Sequence, residues 1–366
     1  MIQKTVLDDL HTPLGGRMVD FSGWWLPISY AGVLAEHQSC RTSAAVFDTG
    51  HMGLFHIAGK DAAEWFSHIG TQDAPRQSIG RCRYGFLLNE EGGVLDDTVL
   101  VRLGAEDFVL VVNAGTADTD FAWIEARLQA PVQLENLSRA GWGKVDVQGP
   151  LSYGVLAPLC APELGGLQYF TGIRTRCMDA DCIITRTGYT GELGFEVLAP
   201  GATIRALFQQ LVADDRVSPA GLGARDSLRL EMSYPLYGHE LSTAFNPIEA
   251  GLGAFATDSH SYIGATALAE IRAAGPKRHL VAFTLDSRRK PAPGDAITVD
   301  GRTVGEVTSG TFLPSLACGG GLGYVDPSLA SAGTELRVVC ERGELVAHVK
   351  DKPLYASGTC RQKLNP

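Results

Sequence analysis

The sequence predicts an α+β fold that ends in a separate, all-β domain. Before the segment at 273–278, strand-like and helical patterns alternate, and the order of strands, helix, strands and helix occurs twice. That segment, Ala-Ala-Gly-Pro-Lys-Arg, is the best linker candidate, and short alternating strands follow it without a convincing helix. We therefore expect two copies of one α+β unit, followed by a small β-barrel or sandwich.

The first unit is predicted from residues 47–128. Residues 47–57 have the pattern of one strand interrupted by glycines, and residues 61–68 have the composition of a helix. A hairpin is expected from two apolar runs that flank the turn at Gly92-Gly93. A further strand and an amphipathic helix follow, so the predicted elements are strands at 47–57, 84–88, 98–101 and 108–112 and helices at 61–68 and 117–128.

The second unit begins with a strand at 144–150, and Pro150 is suited to the first turn of a helix. A hairpin at 182–198 and an amphipathic helix at 203–212 come next. The predicted strands of the C-terminal domain lie at 280–285, 296–299, 303–307, 335–340 and 344–349, with a hairpin turn at Asp300-Gly301.

The composition of the chain limits the classes of function that it can have. The chain has 366 residues, 45% of them hydrophobic and 20% charged, which is typical of a soluble globular protein of two or three domains. Its formal charge of −10 argues against non-specific nucleic-acid binding, which needs a basic surface. We find no apolar signal segment and no run of about 18 apolar residues, so we expect a cytoplasmic protein without a membrane partner. The eight cysteines form no C-x-x-C pair, so we expect reduced thiols and no metal site.

The segment at 186–196 is the strongest candidate for a binding site. Its glycines recur at every third position, which favours a hairpin whose backbone comes close to another group. Tyr189 offers a flat stacking surface, and Glu196 offers a bidentate acceptor. This pair suits a flat heterocycle with ring N–H and amino donors. The alternative is an ordinary hairpin with turn glycines.

Two further segments carry charged candidates. Asp96 and Asp97 precede a strand, and because neighbouring strand residues face opposite sides, only one of them can face a given site. The alternative is that both lie at a solvated strand start. Arg225 follows a Gly-rich loop that opens a helix, and it could hold a carboxylate or a heterocycle bidentately. The alternative is that Arg225 pairs with a structural carboxylate, as Arg229 could with Asp226.

Taken together and in order, these segments resemble the T-protein of the glycine cleavage system, an aminomethyltransferase family. The matching motifs run nearly from end to end and lie at 15–24, 47–48 with 51–53, 92–97, 147–150, 186–192, 219–226, 236–238 and 308–312. The resemblance implies three domains in a cloverleaf around a central folate site. These would be a discontinuous α+β domain at 1–50 and 140–270, a related α+β domain at 51–139, and a β-barrel at 278–366.

The resemblance also implies a reaction. The family takes an aminomethyl group from the lipoyl arm of a carrier, the H-protein, releases ammonia, and forms 5,10-methylenetetrahydrofolate from the co-substrate tetrahydrofolate. By motif, the catalytic carboxylate falls on Asp97, the pterin-binding glutamate on Glu196 and a folate-contacting arginine on Arg225. Further folate-lining positions fall on Met52, Tyr84, Asn113 and Tyr189. We expect a monomer that binds the H-protein.

Two other functions on this fold stay open: a folate-binding accessory protein and a folate-dependent demethylase. The accessory branch carries a Lys-Gly-Cys-Tyr-x-Gly-Gln signature, and this chain has none. The flavin-linked demethylases carry an added dinucleotide domain. The chain departs from the family at Gly50, often Ser, and at His239, often Gln. A glycine run at 319–323 also stands in place of an apolar strand, which bears on H-protein docking.

Overall fold

The computed structural model describes residues 2–341 and 343–364. Residues 1, 342, 365 and 366, which belong to the predicted first and third domains, lie outside the described part. The helices are α1 Asp8–His11, α2 Val33–Thr42, α3 Ala62–Ile69, α4 Ala117–Glu125, α5 Ser152–Leu156, α6 Gly201–Val212, α7 Leu222–Glu231 and α8 Ala265–Ala274. The strands are β1 Arg17–Phe21, β2 Trp24–Ser29, β3 Ala44–Asp48, β4 Gly53–Ala58, β5 Cys82–Leu88, β6 Val94–Gly104, β7 Asp107–Val112, β8 Gln133–Asn136, β9 Trp142–Gln148, β10 Gly172–Cys177, β11 Ala180–Thr185, β12 Gly194–Pro200, β13 Val217–Ala220, β14 His279–Leu285, β15 Ala296–Val299, β16 Arg302–Leu313, β17 Cys318–Val325, β18 Glu335–Cys340 and β19 Gly343–Lys350.

The chain divides into two compact units. The first comprises Met1–Gly85, Thr98–Arg225 and Gly358–Pro366, and the second comprises Phe86–Asp97 and Asp226–Ser357. The first unit contains a six-stranded sheet with the order β10-β11-β12-β9-β3-β13, in which only β3 and β13 pair in parallel. A five-stranded sheet has the order β5-β6-β7-β4-β8; β4, β7 and β8 lie in the first unit, whereas β5 and β6 have residues in both.

One face of the six-stranded sheet is covered by helices. In α6, the apolar residues Ile204, Leu207, Phe208 and Leu211 follow the helical repeat, so they form one stripe that packs against this face. Side chains alternate along a strand, so the apolar residues of β9 at 145 and 147 point toward the helices. The residues of β9 at 144 and 146 therefore point to the opposite face.

That opposite face packs in part against the five-stranded sheet. A buried apolar cluster joins Leu54, Val109 and Val111 of one sheet to Ile183 and Leu198 of the other. The candidate site lies beside this cluster, because Glu196 is two residues from Leu198 on β12 and shares its face.

The second unit contains a closed barrel with the order β14-β17-β16-β15-β18-β19, in which β14 also pairs with β19. Closure leaves no free strand edge. Its interior contains an apolar cluster that includes Phe283, Ile297, Val307 and Val338.

The glycine run at 319–323 is part of a barrel strand, contrary to the sequence interpretation. It belongs to β17, which pairs with both β14 and β16. A Cβ atom on Gly321 would collide with the carbonyl oxygen of Ser309, so close approach of the backbone selects glycine here. The run is thus the counterpart of an apolar strand.

The predicted α+β fold with a C-terminal β-barrel is confirmed. One element is wrong: residues 47–57 form not one strand but two, β3 and β4, which lie in different sheets. The six-stranded sheet, the five-stranded sheet and the barrel each draw their strands from one of the three predicted domains, but the division into three domains stays a prediction. In the described part of the chain, no helix has the length and apolar character needed to cross a membrane.

Candidate active site

The candidate site is built on two adjacent strands of the six-stranded sheet. In the register of β9 and β12, Glu196 lies directly opposite Asp146, and Lys144 lies opposite Leu198. All four side chains therefore share the face that carries the apolar cluster.

Lys144 joins the two carboxylates. Its Nζ lies 2.7 Å from Oε2 of Glu196, 2.5 Å from Oδ1 of Asp146 and 3.2 Å from Oγ1 of Thr49. The side chains of Lys144 and Asp146 are each 1% exposed, whereas that of Glu196 is 16% exposed. The ammonium thus uses its three N–H donors on three oxygens, as a buried ammonium must.

Arg225, in the first turn of α7, binds the other oxygen of Asp146. Its Nη1 lies 2.9 Å from Oδ2 of Asp146, and the guanidinium lies 5.0 Å from the centre of the Tyr189 ring. Burial opposes the ionisation of Asp146, but the charges of Lys144 and Arg225, with hydrogen bonds from Lys144 and Thr49, hold the pKa of this carboxyl below its ordinary value. The alternative expected from the sequence, that Arg225 pairs with a structural carboxylate, is therefore correct for Nη1, which binds Asp146.

The four charged groups form one alternating row: Arg225, Asp146, Lys144 and Glu196. The middle pair is buried, and the two ends are partly exposed, at 15% and 16%. Oε1 of Glu196 accepts no hydrogen bond from the part of the chain that the structure describes. Together with the Tyr189 ring, the row presents an acceptor, a cation and a flat apolar surface, which is what a flat heterocycle with N–H donors requires.

The Gly-rich connection between β11 and β12 is held close to the sheet by Gln148. Its amide donates to the carbonyl of Thr187 at 3.2 Å and accepts from the hydroxyl of Thr190 at 2.9 Å. A Cβ atom on Gly188 or Gly194 would collide with the Gln148 side chain, so these glycines allow the approach. The predicted close backbone approach therefore exists, and its partner is Gln148.

Two other predicted residues lie close to the apolar cluster of this face. Met52 packs against the apolar cluster that includes Leu198. Asn113 follows β7 directly and is half-buried, two residues beyond Val111 of the same cluster.

Tyr84 is half-buried on β5, on the same strand face as Cys82. Burial raises the pKa of the Cys82 thiol, and the charge of Glu196 adds to this effect, so Cys82 lies within electrostatic range of Glu196.

Asp97 belongs to the second unit. Asp96 and Asp97 lie inside β6, where Asp96 is fully buried and Asp97 is half-buried. The alternation agrees with the expectation that they face opposite sides. A solvated strand start is wrong for Asp96, which is 0% exposed. The assignment of the catalytic role to Asp97 stays a prediction.

The sequence interpretation missed Lys144 and Asp146. The signal was present, because two charged residues alternate with valines in a strand that is otherwise apolar, and charges on such a strand need partners. His51, which belongs to the matching motif at 51–53, also lies near the row. It is 6% exposed, its Nδ1 has no hydrogen-bond partner among the described residues, and burial lowers its pKa to about 4. Among those residues, no three His, Cys, Asp or Glu side chains are grouped as a metal ion would need.

Comparison with known proteins gives matches along nearly the whole chain. The family profile described as the GCVT N-terminal domain matches residues 7–259, and the glycine cleavage T-protein C-terminal barrel domain matches residues 278–356. An aminomethyltransferase of Desulforamulus reducens is 37% identical over 97% of this chain and 98% of its own length. One from Symbiobacterium thermophilum is 39% identical with the same coverage. The crystal structure of glycine cleavage system aminomethyltransferase T from Bartonella henselae superposes with a TM-score of 0.92 at 35% identity, covering 98% of this chain and 99% of that one.

Proposed function

The chain belongs to the glycine cleavage T-protein family, and we propose that it transfers the methylene carbon of an aminomethyl group from a lipoylated H-protein to tetrahydrofolate. Ammonia is released, and 5,10-methylenetetrahydrofolate is formed. The observation that carries this proposal is the row of charges that ends in Glu196 and Arg225, beside Tyr189, in a chain that matches aminomethyltransferases along nearly its whole length. The natural place for such an enzyme is the cytoplasm.

The pterin ring of tetrahydrofolate fits the chemistry of these three residues. Its N3–H and its amino group are adjacent donors, and Glu196 is a carboxylate with one oxygen that accepts no hydrogen bond from the described residues. Tyr189 supplies a flat surface for the ring, and the cation of Arg225 next to it favours electron-rich groups. Met52, Tyr84 and Asn113 would complete the lining.

Asp97 is the proposed catalytic carboxylate. Reduced folate offers N5 and N10 to one carbon, and positive charge develops on the amine that attacks. A carboxylate near N10 stabilises that charge and holds the amine in place. The carrier's sulfur already holds the carbon, so the enzyme needs no nucleophile of its own, and catalysis consists mainly of positioning two reactants.

The test is direct. Aminomethylated, lipoylated H-protein and tetrahydrofolate are incubated with and without this protein, and methylenetetrahydrofolate and ammonia are measured. We expect both products only with the protein present. Tetrahydrofolate binding without turnover would instead indicate an accessory protein. Turnover of a small methylated amine or sulfonium compound, without turnover of H-protein, would indicate a demethylase.

A further inference from the structure

Lys144 has no role in the function proposed above, yet it is the group that contacts Glu196. It is a fully buried ammonium on β9, and it reaches across to β12 at 2.7 Å. A buried lysine is costly unless every donor is paired and its charge is balanced. Here both conditions are met, but one of the three partners is the residue on which the pterin is proposed to bind.

We propose that Lys144 is a positioning residue for the folate ring: it keeps Glu196 ionised and holds its Oε2, so that Oε1 is the oxygen presented to the ring donors. This inference rests on the proposed function, because it assigns a role to Lys144 through the pterin contact of Glu196.

The geometry supports different roles for the two carboxylate oxygens of Glu196. Oε2 is fixed by Lys144, while Oε1 accepts no hydrogen bond from the described residues. Lys144 is itself fixed by Asp146 and by Thr49, whose hydroxyl also donates to Asp146 at 2.8 Å. The ammonium therefore cannot follow Glu196 if the carboxylate rotates, and the carboxylate is held in one orientation.

The ionisation of Glu196 is the second part of the argument. A protonated carboxyl would offer a hydrogen to the ring N–H groups, where an acceptor is needed. Glu196 is mostly buried, and burial without a counter-charge favours the neutral form. The ammonium of Lys144 is the counter-charge in contact, and without it Glu196 would take up a proton more readily as the pH falls.

Other titratable groups near the row are His51 on the connection from β3 to β4, Cys82 on β5, and Asp48 beside His51. Burial lowers the pKa of His51 to about 4 and raises the pKa of Cys82 well above its ordinary value. In the wild type, Asp146 is held charged by Lys144 and Arg225. Neither His51 nor Cys82 therefore changes its charge between pH 5.5 and 8, so a new pH dependence in this range points to the two carboxylates that lose Lys144, Glu196 and Asp146. A pH dependence that persists in a variant without Asp146 points to Glu196.

The experiment measures the Kd of tetrahydrofolate by anaerobic calorimetry from pH 8 to about pH 5.5. For Lys144→Met, we expect a Kd that is about tenfold higher at pH 8, in line with a lost hydrogen bond to a charged group. The Kd should then rise further as the pH falls, by up to tenfold per pH unit relative to the wild type, as for one coupled proton. Lys144→Arg keeps the cation and should restore the wild-type pH profile.

A double variant separates positioning from a merely structural role. If Lys144 acts through Glu196, Lys144→Met should change the Kd less than about twofold in the Glu196→Gln background, because the acceptor is already lost. The same loss in both backgrounds would overturn the proposal. A matched control is Arg174→Met, which breaks the ion pair with Asp107 in the same unit and should leave the pH profile unchanged.

If Lys144→Met does not fold, the double variant Lys144→Met with Asp146→Leu removes the buried pair together, which proteins often tolerate. The same pH dependence is expected, because Glu196 again lacks its cation. If the Kd of a folded variant shows no pH dependence beyond that of the wild type, the role of Lys144 is overturned and the proposed function is not affected. A wild-type protein that does not bind tetrahydrofolate overturns the proposed function and this inference with it.

Discussion

Glu196→Gln is the substitution that most directly tests the proposed pterin site. The change keeps the shape of the side chain but replaces one acceptor oxygen with an NH₂ donor. In the structure, one end of the carboxylate faces Lys144 at 2.7 Å, and the other is the proposed acceptor for the ring. If the amide oxygen faces Lys144, the NH₂ meets the ring donors; if the amide is flipped, the NH₂ meets the ammonium. In either orientation, the NH₂ group of the amide faces another hydrogen-bond donor.

The expected loss follows from this geometry. A buried donor that loses a charged partner typically costs roughly 2–4 kcal/mol, which corresponds to a Kd that is about 30- to 1000-fold higher. The stability of the protein should change much less, because Lys144 keeps Asp146 and Thr49 as partners. Calorimetry with tetrahydrofolate measures the first quantity, and urea unfolding measures the second.

The matched control is Asp107→Asn. It makes the same change from carboxylate to amide in an ion pair of the same unit, where Asp107 binds Arg174 at 2.7 and 2.8 Å. It should lower stability modestly and leave the Kd within about threefold of the wild type. An unchanged Kd in Glu196→Gln, or an equal loss in Asp107→Asn, would remove Glu196 from the site.

Three further predictions concern the rest of the molecule. Asp97→Asn should lower kcat about a hundredfold or more, with a smaller effect on tetrahydrofolate affinity. Asp96→Asn, at a fully buried position, should keep kcat within roughly tenfold of the wild type and lower the stability of the protein. Equal losses of kcat in the two variants would mean that the strand faces the other way. His51 has a pKa of about 4 in the folded protein, whereas in the unfolded chain it is protonated below about pH 6.5. Because only the unfolded state binds this proton, the free energy of unfolding should fall by about 3 kcal/mol as the pH falls from about 6.5 to about 4. Unfolding titrations should show a shallower acid slope in His51→Gln, and an unchanged slope would contradict this. Gly321→Ala should lower the thermal midpoint of unfolding because its Cβ would collide with the carbonyl oxygen of Ser309. Gly154→Ala should not, because Gly154 lies on a helix and a Cβ there would have no atom within 4 Å. Similar midpoints for the two variants would rule out the clash.

Local patterns were sufficient to predict much of the fold. The amphipathic stripe of α6 and the apolar runs of β11 and β12 each carry their own periodicity, because a single core covers one face of each element. The barrel strands were predicted for the same reason. The exception, β17, has few side chains with which to show a period, since neighbouring strands approach its glycines too closely for a Cβ atom.

The charged row could not be predicted because its contacts are not local. Asp146 and Arg225 are 79 positions apart, and Glu196 reaches Lys144 only because β9 and β12 are neighbours in a particular register. A shift of one residue would turn Lys144 and Asp146 toward the helices and the valines toward the ring site. Motif resemblance pointed to the two ends of the row, whereas only the sheet shows what connects them.

That connection explains how the site can be both rigid and charged. Each buried charge in the row has an opposite charge on both sides, so the desolvation of Lys144 and Asp146 is offset by two partners instead of one. The exposed ends, Glu196 and Arg225, are therefore held by groups that cannot move into solvent. For a reaction that needs no nucleophile from the enzyme, a fixed orientation of the folate ring is a large part of what the protein can contribute. Substitutions in the buried middle of the row should accordingly affect ligand affinity as well as stability, although neither middle residue is placed in contact with the ligand.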